Sequence, residues 1–396
     1  MILVHICCSV DSHYFLQKLR EKYQDSHLVG YFYNPNIHPK SEYDVRLADV
    51  KRSCQMLGID LFEGEYELEH WLKCVEGLEE EPEKGERCSK CFDIRLIKTA
   101  IFAKQRNIKL FTTTLLSSPM KEQQILYVYG DKIASDYGLE FIKIDVRSNG
   151  GTQEQAQLAR DDKLYRQSYC GCKFALLKQR QKQQKLSLEL LENLGRQFLP
   201  ASNEDRVETF KCRDRLEQEQ IPYVLSKRTI IAWRNLRSVA KYRDLPLDIY
   251  VLADSKSKNN VKTSKIVWIK SAVFSPLHIA AFLGIGDKRT NTFGESQICT
   301  QKSCSVFIGS ASKDDSVFLD IQGFNTLCQT SYENVAQLLK NPLSYEMENA
   351  LRISICGISS INPIIVLDKK IESNLRLQIE TIFQEESVFR LLEGEV

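Results

Sequence analysis

The chain has 396 residues, of which 43% are hydrophobic and 27% charged, and its net charge is +2. This is an ordinary soluble profile, long enough for two or three cores, and it excludes uniform attraction to polyanions: any nucleic-acid contact must come from a local patch. No apolar run reaches the ~18 residues of a membrane helix, and Met1 leads straight into a strand-like run without the basic start of a signal peptide, so a cytosolic protein with no membrane partner is expected.

The first half alternates short apolar strands with helical patterns. ILVHI is a strand, and residues 12–23 form a helix with Phe15, Leu16 and Leu19 on one face. LVGYFYN is a second strand, followed by a helix over 42–57 that stops at Gly58. IDLFE is a third strand. A helix over 68–78, the acidic loop GLEEEPEKGERC and a helix over 88–105 follow. LFTTTL and LEFIKIDV are strands four and five, separated by a helix over 122–137. This alternation predicts an α/β fold with a doubly wound parallel sheet. Ligands of such sheets bind beyond the carboxyl ends of the strands, at a topological switch point. The loops at Cys7 to Asp11, Asn34 to Asn36 and Thr113 to Ser118 should therefore converge on one crevice.

Residues 173–185 carry Lys173, Lys178, Arg180, Lys182 and Lys185 and no acidic residue, and are expected to close the first domain as a helix. Residues 1–185 are read as one domain, 186–205 as a helix-containing linker and 206–396 as a second, smaller α+β domain of unknown function. In that region VETFKCRDRLEQEQI reads as helical, IPYVLSKRTIIAWR, LDIYVLAD, KIVWI and CSVFIGS as strands, and SYENVAQLLKNPL and IESNLRLQIETIFQEE as late helices.

Thirteen cysteines are many for a cytosolic chain, where thiols stay reduced and close spacing points to metal or redox chemistry. Three close pairs lie in the first half: Cys7–Cys8, Cys88–Cys91 and Cys170–Cys172. An iron–sulfur cluster or a structural zinc takes four ligands, so six thiols leave two over, which argues against a plain zinc site. On spacing alone a cluster with a redox pair, a zinc site and unrelated buried thiols all stay open. Adjacent cysteines in a strand would face opposite ways; to serve one site Cys7 and Cys8 must lie in the turn after it. A Cys-x-x-Cys pair at a helix start projects both sulfurs to one point, where the helix N-terminus favours thiolate. A Cys-Gly-Cys disulfide closes a small, strained ring, which suits electron relay. Cys54 and Cys74 read as core filler. Cys299 and Cys304 are spaced for a site, with metal binding the lesser reading.

In this order HICCSVD, FYNPNIHPKSEYDVR, LEEEPEKGERCSKCFDIRL, FTTTLLSSPMK and LYRQSYCGC resemble the QueH-type epoxyqueuosine reductases over about residues 1–180. The resemblance implies a fold related to the PP-loop, or adenine-nucleotide α-hydrolase-like, proteins. It implies an oxidoreductase that converts epoxyqueuosine in the tRNA anticodon to queuosine, the last step of that modification. Cys7, Cys8, Cys88 and Cys91 would hold a [4Fe–4S] cluster and Cys170 and Cys172 would form a redox-active disulfide. Asp11 matches a position where some members carry an aspartate, which implies a ligand of an additional iron, with a proton-donor role as the other reading. The partners implied are tRNA carrying epoxyqueuosine and an external electron donor. VRSNGG and ARDDK depart from the family pattern, and the region after about residue 190 has no counterpart at the family's usual length.

PP-loop enzymes cradle phosphate on a Ser-Gly-Gly-x-Asp-Ser loop. Here CCSVDS keeps Val10, Asp11 and Ser12, while Cys8 and Ser9 replace both glycines, so no ATP is expected. Epoxide reduction needs two electrons, two protons and loss of water, hence a redox cofactor. A flipped base needs a polar, stacking pocket, for which Tyr33, Asn34, Asn36, Arg166 and Gln167 are the candidates. YNPN also reads as a simple capped turn. The rival functions are a PP-loop-type tRNA thiolase with an iron–sulfur cluster and a non-enzymatic, zinc-stabilised RNA-binding module.

Overall fold

The computed structural model describes residues 1–263, 265–282 and 303–394. The chain divides into two compact units. The first holds residues 1–190, 207–225 and 391–396; the second holds 191–206 and 226–390. No described helix is long and apolar enough to cross a membrane.

The first unit is built on five parallel strands: β1 (Ile2–His5), β2 (Leu28–Phe32), β3 (Asp60–Glu63), β4 (Leu110–Thr113) and β5 (Glu140–Phe141), in the order β3-β2-β1-β4-β5. The doubly wound expectation is met. Strand β1 is central and buried along its whole length, which is why Ile2 to Val4 are apolar without alternation and His5 is hydrogen-bonded. The helices are α1 (Ser9–Lys22), α2 (Lys40–Met56), α3 (Leu68–Cys74), α4 (Glu86–Gln105), α5 (Gln123–Tyr137), α6 (Gly151–Asp161) and α7 (Lys173–Lys182). The strand order reverses between β1 and β4, so their carboxyl ends form the switch point.

Strand β5 is shorter than LEFIKIDV suggests. After Phe141 the chain turns at Asp145, whose carboxylate accepts from the amides of Arg147 (2.9 Å) and Ser148 (3.3 Å). Cys54 is core filler as expected, but Cys74 is exposed at the end of α3, 3.6 Å from His70 Nε2. Residues 188–190 and 194–196 form single 3-10 turns instead of a helix. Helix α8 starts only at Asn203 and runs to Gln218.

The second unit contains β6 (Tyr223–Tyr242), β7 (Leu245–Leu247), β8 (Tyr250–Val251), β9 (Lys258–Thr263), β10 (Ile266–Phe274), α9 (Pro276–Phe282), β11 (Ser303–Ala311), β12 (Val317–Asp320), α10 (Ile321–Cys328), α11 (Val335–Lys340), α12 (Tyr345–Cys356), β13 (Ile364–Leu367) and β14 (Leu375–Glu393), of which β6 and β14 each reach past its borders. Two sheets form, β10-β11-β12-β13-β8 and β7-β6-β14-β9. One core lies between sheet and helices around Phe324, Leu338 and Leu351, another between the sheets around Phe318, Leu377 and Ile379. The α+β expectation holds. The late helix expected over 371–386 is instead strand β14: Leu375, Leu377, Ile379 and Thr381 are buried while Arg376 and Glu380 are exposed, a period of two. Helices α10 and α12 were not foreseen. Cys299 lies outside the described residues, so its pairing with Cys304 has no structural counterpart here.

Candidate redox-metal centre

All six paired cysteines line one cavity of about 830 Å³ in the first unit. Three helix N-termini bring them there. Cys8 caps α1, Cys88 lies in the first turn of α4, and Cys172 caps α7. Each amino end leaves backbone donors and a partial positive charge facing the cavity, an environment suited to thiolate.

Cys7 and Cys8 do lie in the turn after β1, and their sulfurs are 3.7 Å apart. The Thr114 hydroxyl accepts from the Cys7 amide at 3.2 Å and donates to its sulfur at 3.4 Å. Cys7 Sγ donates to Asp11 Oδ2 at 3.4 Å, and Gln167 Nε2 donates to Cys8 Sγ at 3.1 Å. Gln155 Nε2 donates to Asp11 Oδ1 at 3.0 Å and is itself fixed by Ser117, whose hydroxyl donates to Gln155 Oε1 at 2.8 Å. Cys7, Cys8 and Asp11 place their donor atoms within 4.8 Å of one another, the one such grouping among the described residues.

On the opposite wall, the Lys84 amide donates to Cys88 Sγ at 3.3 Å. Arg87, buried and directly before Cys88 in RCSKC, donates through NH1 to the carbonyls of Leu78 (3.0 Å), Glu79 (2.9 Å) and Glu81 (2.7 Å), which folds the acidic loop against α4. Cys91 and Cys172 share a small core with Trp71, Val75 and Ala175, and Cys170 packs against it. Gly171 between the last two thiols has φ +105°, a backbone that L side chains rarely adopt. Its carbonyl accepts from the His38 amide at 2.9 Å. Cys170 and Cys172 are free thiols in this structure.

The electrostatics are those of buried acids facing cations. The Cys8 thiol is held well above its ordinary pKa by its contact with Cys7, by burial and by Asp11, against the pull of Arg46. Burial raises Asp11, although hydrogen bonds from Cys8, Cys7 and Gln155 oppose it. Burial, then the neighbouring Cys170, pushes the Cys172 thiol up to about 12. Lys121, Arg95, Arg87 and Arg46 line the same cavity. Burial works against the Lys121 ammonium, yet Cys170, Cys88 and Cys91 together hold its pKa above the usual lysine value. The raised Cys8 and Cys172 thiols thus share the cavity with fixed positive charge, and metal binding would deprotonate its ligands.

A single tetrahedral zinc with bonds of about 2.3 Å would require all four sulfurs to stand about 3.8 Å apart. Cys7 and Cys8 meet that spacing, but Cys88 and Cys91 fall outside the 4.8 Å grouping. The four thiols line one cavity without converging on a single point in this structure.

The other sequence candidates separate. Asn34, Asn36 and Gln167 line the cavity; Tyr33 and Arg166 do not. Tyr33 is buried, its hydroxyl donating to Glu67 at 2.7 Å, and Arg166 is exposed. Asn34 is consumed by structure, donating to Ile6 O (2.8 Å) and accepting from Arg95 (2.6 Å). Asn36 Oδ1 and Gln167 Oε1 are buried without a partner and offer acceptors to a ligand. His5 and His13 are committed elsewhere. His5 Nδ1 faces Thr113 Oγ1 (2.8 Å) and its Nε2 the Tyr33 carbonyl (3.1 Å), whereas His13 bridges Ser53 and Asp162. Sequence reasoning missed Lys121, Arg95, Thr114 and Gln155, since single polar residues carry no spacing signal; the first three sit inside the quoted motif stretches.

Residues 2–178 match the family model described as epoxyqueuosine reductase QueH. An epoxyqueuosine reductase QueH from Helicobacter pylori is 41% identical over 400 residues, spanning 99% of this chain and 100% of its own. Another, from Thermotoga maritima, is 34% identical over 189 residues, 47% of this chain and 95% of its own. Among solved structures, the U34-tRNA thiolase NcsA from Methanococcus maripaludis with its [4Fe-4S] cluster aligns over 55% of this chain and 66% of its own at 16% identity, with a TM-score of 0.30, a likeness too slight to carry an argument.

Proposed function

The chain belongs to the family of QueH epoxyqueuosine reductases, and we propose that it reduces epoxyqueuosine in the tRNA anticodon to queuosine. Cys7, Cys8, Cys88 and Cys91 would hold a [4Fe–4S] cluster, and Cys170 and Cys172 would act as the redox pair that passes electrons from an external donor. The observation that carries this reading is the convergence of three thiol pairs, each at a helix N-terminus, on one cavity lined with cations, among them Arg46, Arg87, Arg95 and Lys121. When bound, such a cluster supplies electrons one at a time to a reaction that consumes two electrons and two protons and releases water.

The rest falls to side chains. Asp11, held by Gln155, either carries an additional iron or hands a proton to the departing oxygen. Lys121, facing Cys88, Cys91 and Cys170, balances the negative charge that builds up as thiols ionise. Asn36 and Gln167 offer their unpaired acceptors to the donor edge of the base. Lys84, Lys178 and Lys182 at the cavity supply a local charge patch for the anticodon phosphates. Residues 1–185 carry every side chain named in this assignment, and the region beyond 206 keeps no assigned activity of its own.

Anaerobic purification with iron and sulfide analysis, EPR after dithionite reduction and nucleoside analysis of treated tRNA test the proposal. About four iron and four sulfide per chain, together with queuosine formation, are expected. Zinc without sulfide, in a protein that leaves epoxyqueuosine unchanged, would instead support an RNA-binding module.

A further inference from the structure

Helix α8 begins 25 residues beyond the end of the family-model match, yet its second half packs inside the first unit. Arg213 is fully buried there. Its NH1 donates to Asp49 Oδ1 at 2.6 Å and to the Lys163 carbonyl at 2.9 Å, and its Nε and NH2 clasp Asp214 Oδ1 at 2.8 and 2.6 Å. Asp49, equally buried on α2, spends its other oxygen on the Tyr165 amide (2.8 Å) and on the hydroxyl of Ser9. Ser9 is the residue after Cys8. One buried carboxylate thus ties the thiol-bearing turn to a guanidinium contributed from outside the segment that the family model matches.

The same helix braces the other thiol loop. Arg52 Nε and NH2 grip both carboxylate oxygens of Glu217 at 2.6 and 2.7 Å. Phe210 meets Tyr165 edge-on at 4.8 Å. The Tyr165 hydroxyl donates to Glu42 Oε2 (2.8 Å), Arg46 Nε donates to Glu42 Oε1 (2.8 Å), and Arg46 NH2 reaches the Tyr169 carbonyl (2.9 Å), next to Cys170. Buried charges of this kind are held by pairing, so removing the guanidinium takes from Asp49 the cation bonded to its Oδ1 and leaves it only the Tyr165 amide and Ser9 hydroxyl. Partners bonded to metal ligands commonly set how firmly the metal is held; Arg213 stands further back and acts on the ligand turn through Asp49 and Ser9.

We propose that Arg213 is a positioning residue that holds the Cys7–Ser9 turn through Asp49, which makes helix α8 a working part of the reductase unit. The cofactor readout rests on the function proposed above; the thiol readout does not. The full chain is prepared as wild type, Arg213→Met and Arg213→Lys, and each is checked by thermal melting without iron. Reconstituted protein is then followed for iron retention against a chelator and for its EPR line shape, and iron-free protein for the alkylation rate of Cys7 and Cys8, located by peptide mass mapping.

Arg213→Met is expected to lose iron about 10-fold faster, with an altered EPR line shape and faster alkylation of Cys7 and Cys8 but not of Cys54. Arg213→Lys, which keeps the charge and loses the fork, should recover part of each effect and remains the test if the methionine variant does not fold. Wild-type retention, line shape and alkylation in a folded variant would overturn the inference. So would a lower melting temperature with all three unchanged. If the wild type itself binds no iron, the cluster assignment fails, and alkylation alone decides: faster modification in the variants upholds the positioning role and an unchanged rate ends it.

Discussion

Gly171→Ala is a sharp test of how the Cys-Gly-Cys turn is built. At φ +105° an L residue is strained by about 1–3 kcal/mol. The new Cβ would stand 2.8 Å from Ile37 Cγ1 and 3.2 Å from both Ile37 Cα and Arg46 NH1. Ile37 Cα is backbone, and Arg46 is locked by Glu42 and the Tyr169 carbonyl, so neither neighbour yields cheaply. Overpacking of this kind adds about 1–3 kcal/mol. The sum, about 2–6 kcal/mol, is large beside ordinary domain stability. The chain has three tryptophans, and Trp71 reports locally because it shares a core with Cys91 and Cys172. In a Trp233→Phe, Trp268→Phe background, urea unfolding followed by Trp71 fluorescence should show that loss as a lower midpoint. Faster hydrogen exchange at the His38 amide, which donates to Gly171 O, should accompany it. An unchanged midpoint with an unchanged His38 amide would refute the argument that this turn requires glycine.

Cys88→Ala should abolish iron binding and queuosine formation together, whereas Cys172→Ala should keep the iron and fail in multiple turnover; loss of iron from the second variant would undo the division of roles between the pairs. Arg87→Met removes three carbonyl contacts, each worth about 1.5–3 kcal/mol for a charged donor, and limited proteolysis should then cut the 78–85 loop several-fold faster. Burial raises Glu348 in the second unit from 4.5 to about 7. The folded state then keeps a proton that the unfolded state releases above about pH 4.5. Stability of that unit should be full at low pH and fall by about 3 kcal/mol as pH rises to about 7. Urea midpoints read from Trp233 and Trp268 would show this, and Glu348→Gln should flatten the dependence; a wild-type midpoint rising over that range would contradict it.

The features legible in the chain before folding are local ones. The runs ILVHI and LVGYF, each followed by a helical period, point to parallel strands because a strand buried on both faces is mostly apolar without alternation. The pairs Cys7–Cys8, Cys88–Cys91 and Cys170–Cys172 are visible because their spacing is short. The end of a strand, the start of a helix and a glycine between two thiols are all properties of a few adjacent residues. Tertiary structure alone decided the rest. The run LRLQIET alternates apolar and polar, a strand signal that the helical reading passed over, whereas the packing of Leu375, Leu377 and Ile379 against a second sheet is tertiary. Nothing near Arg213 in the chain announces that its charge is spent on Asp49, 164 residues away. Lys121 looks like any surface lysine until the fold sets it among Cys88, Cys91 and Cys170. A buried charge is defined by its partner, and its partner is chosen by packing across long sequence separations, where neither periodicity nor spacing carries a signal.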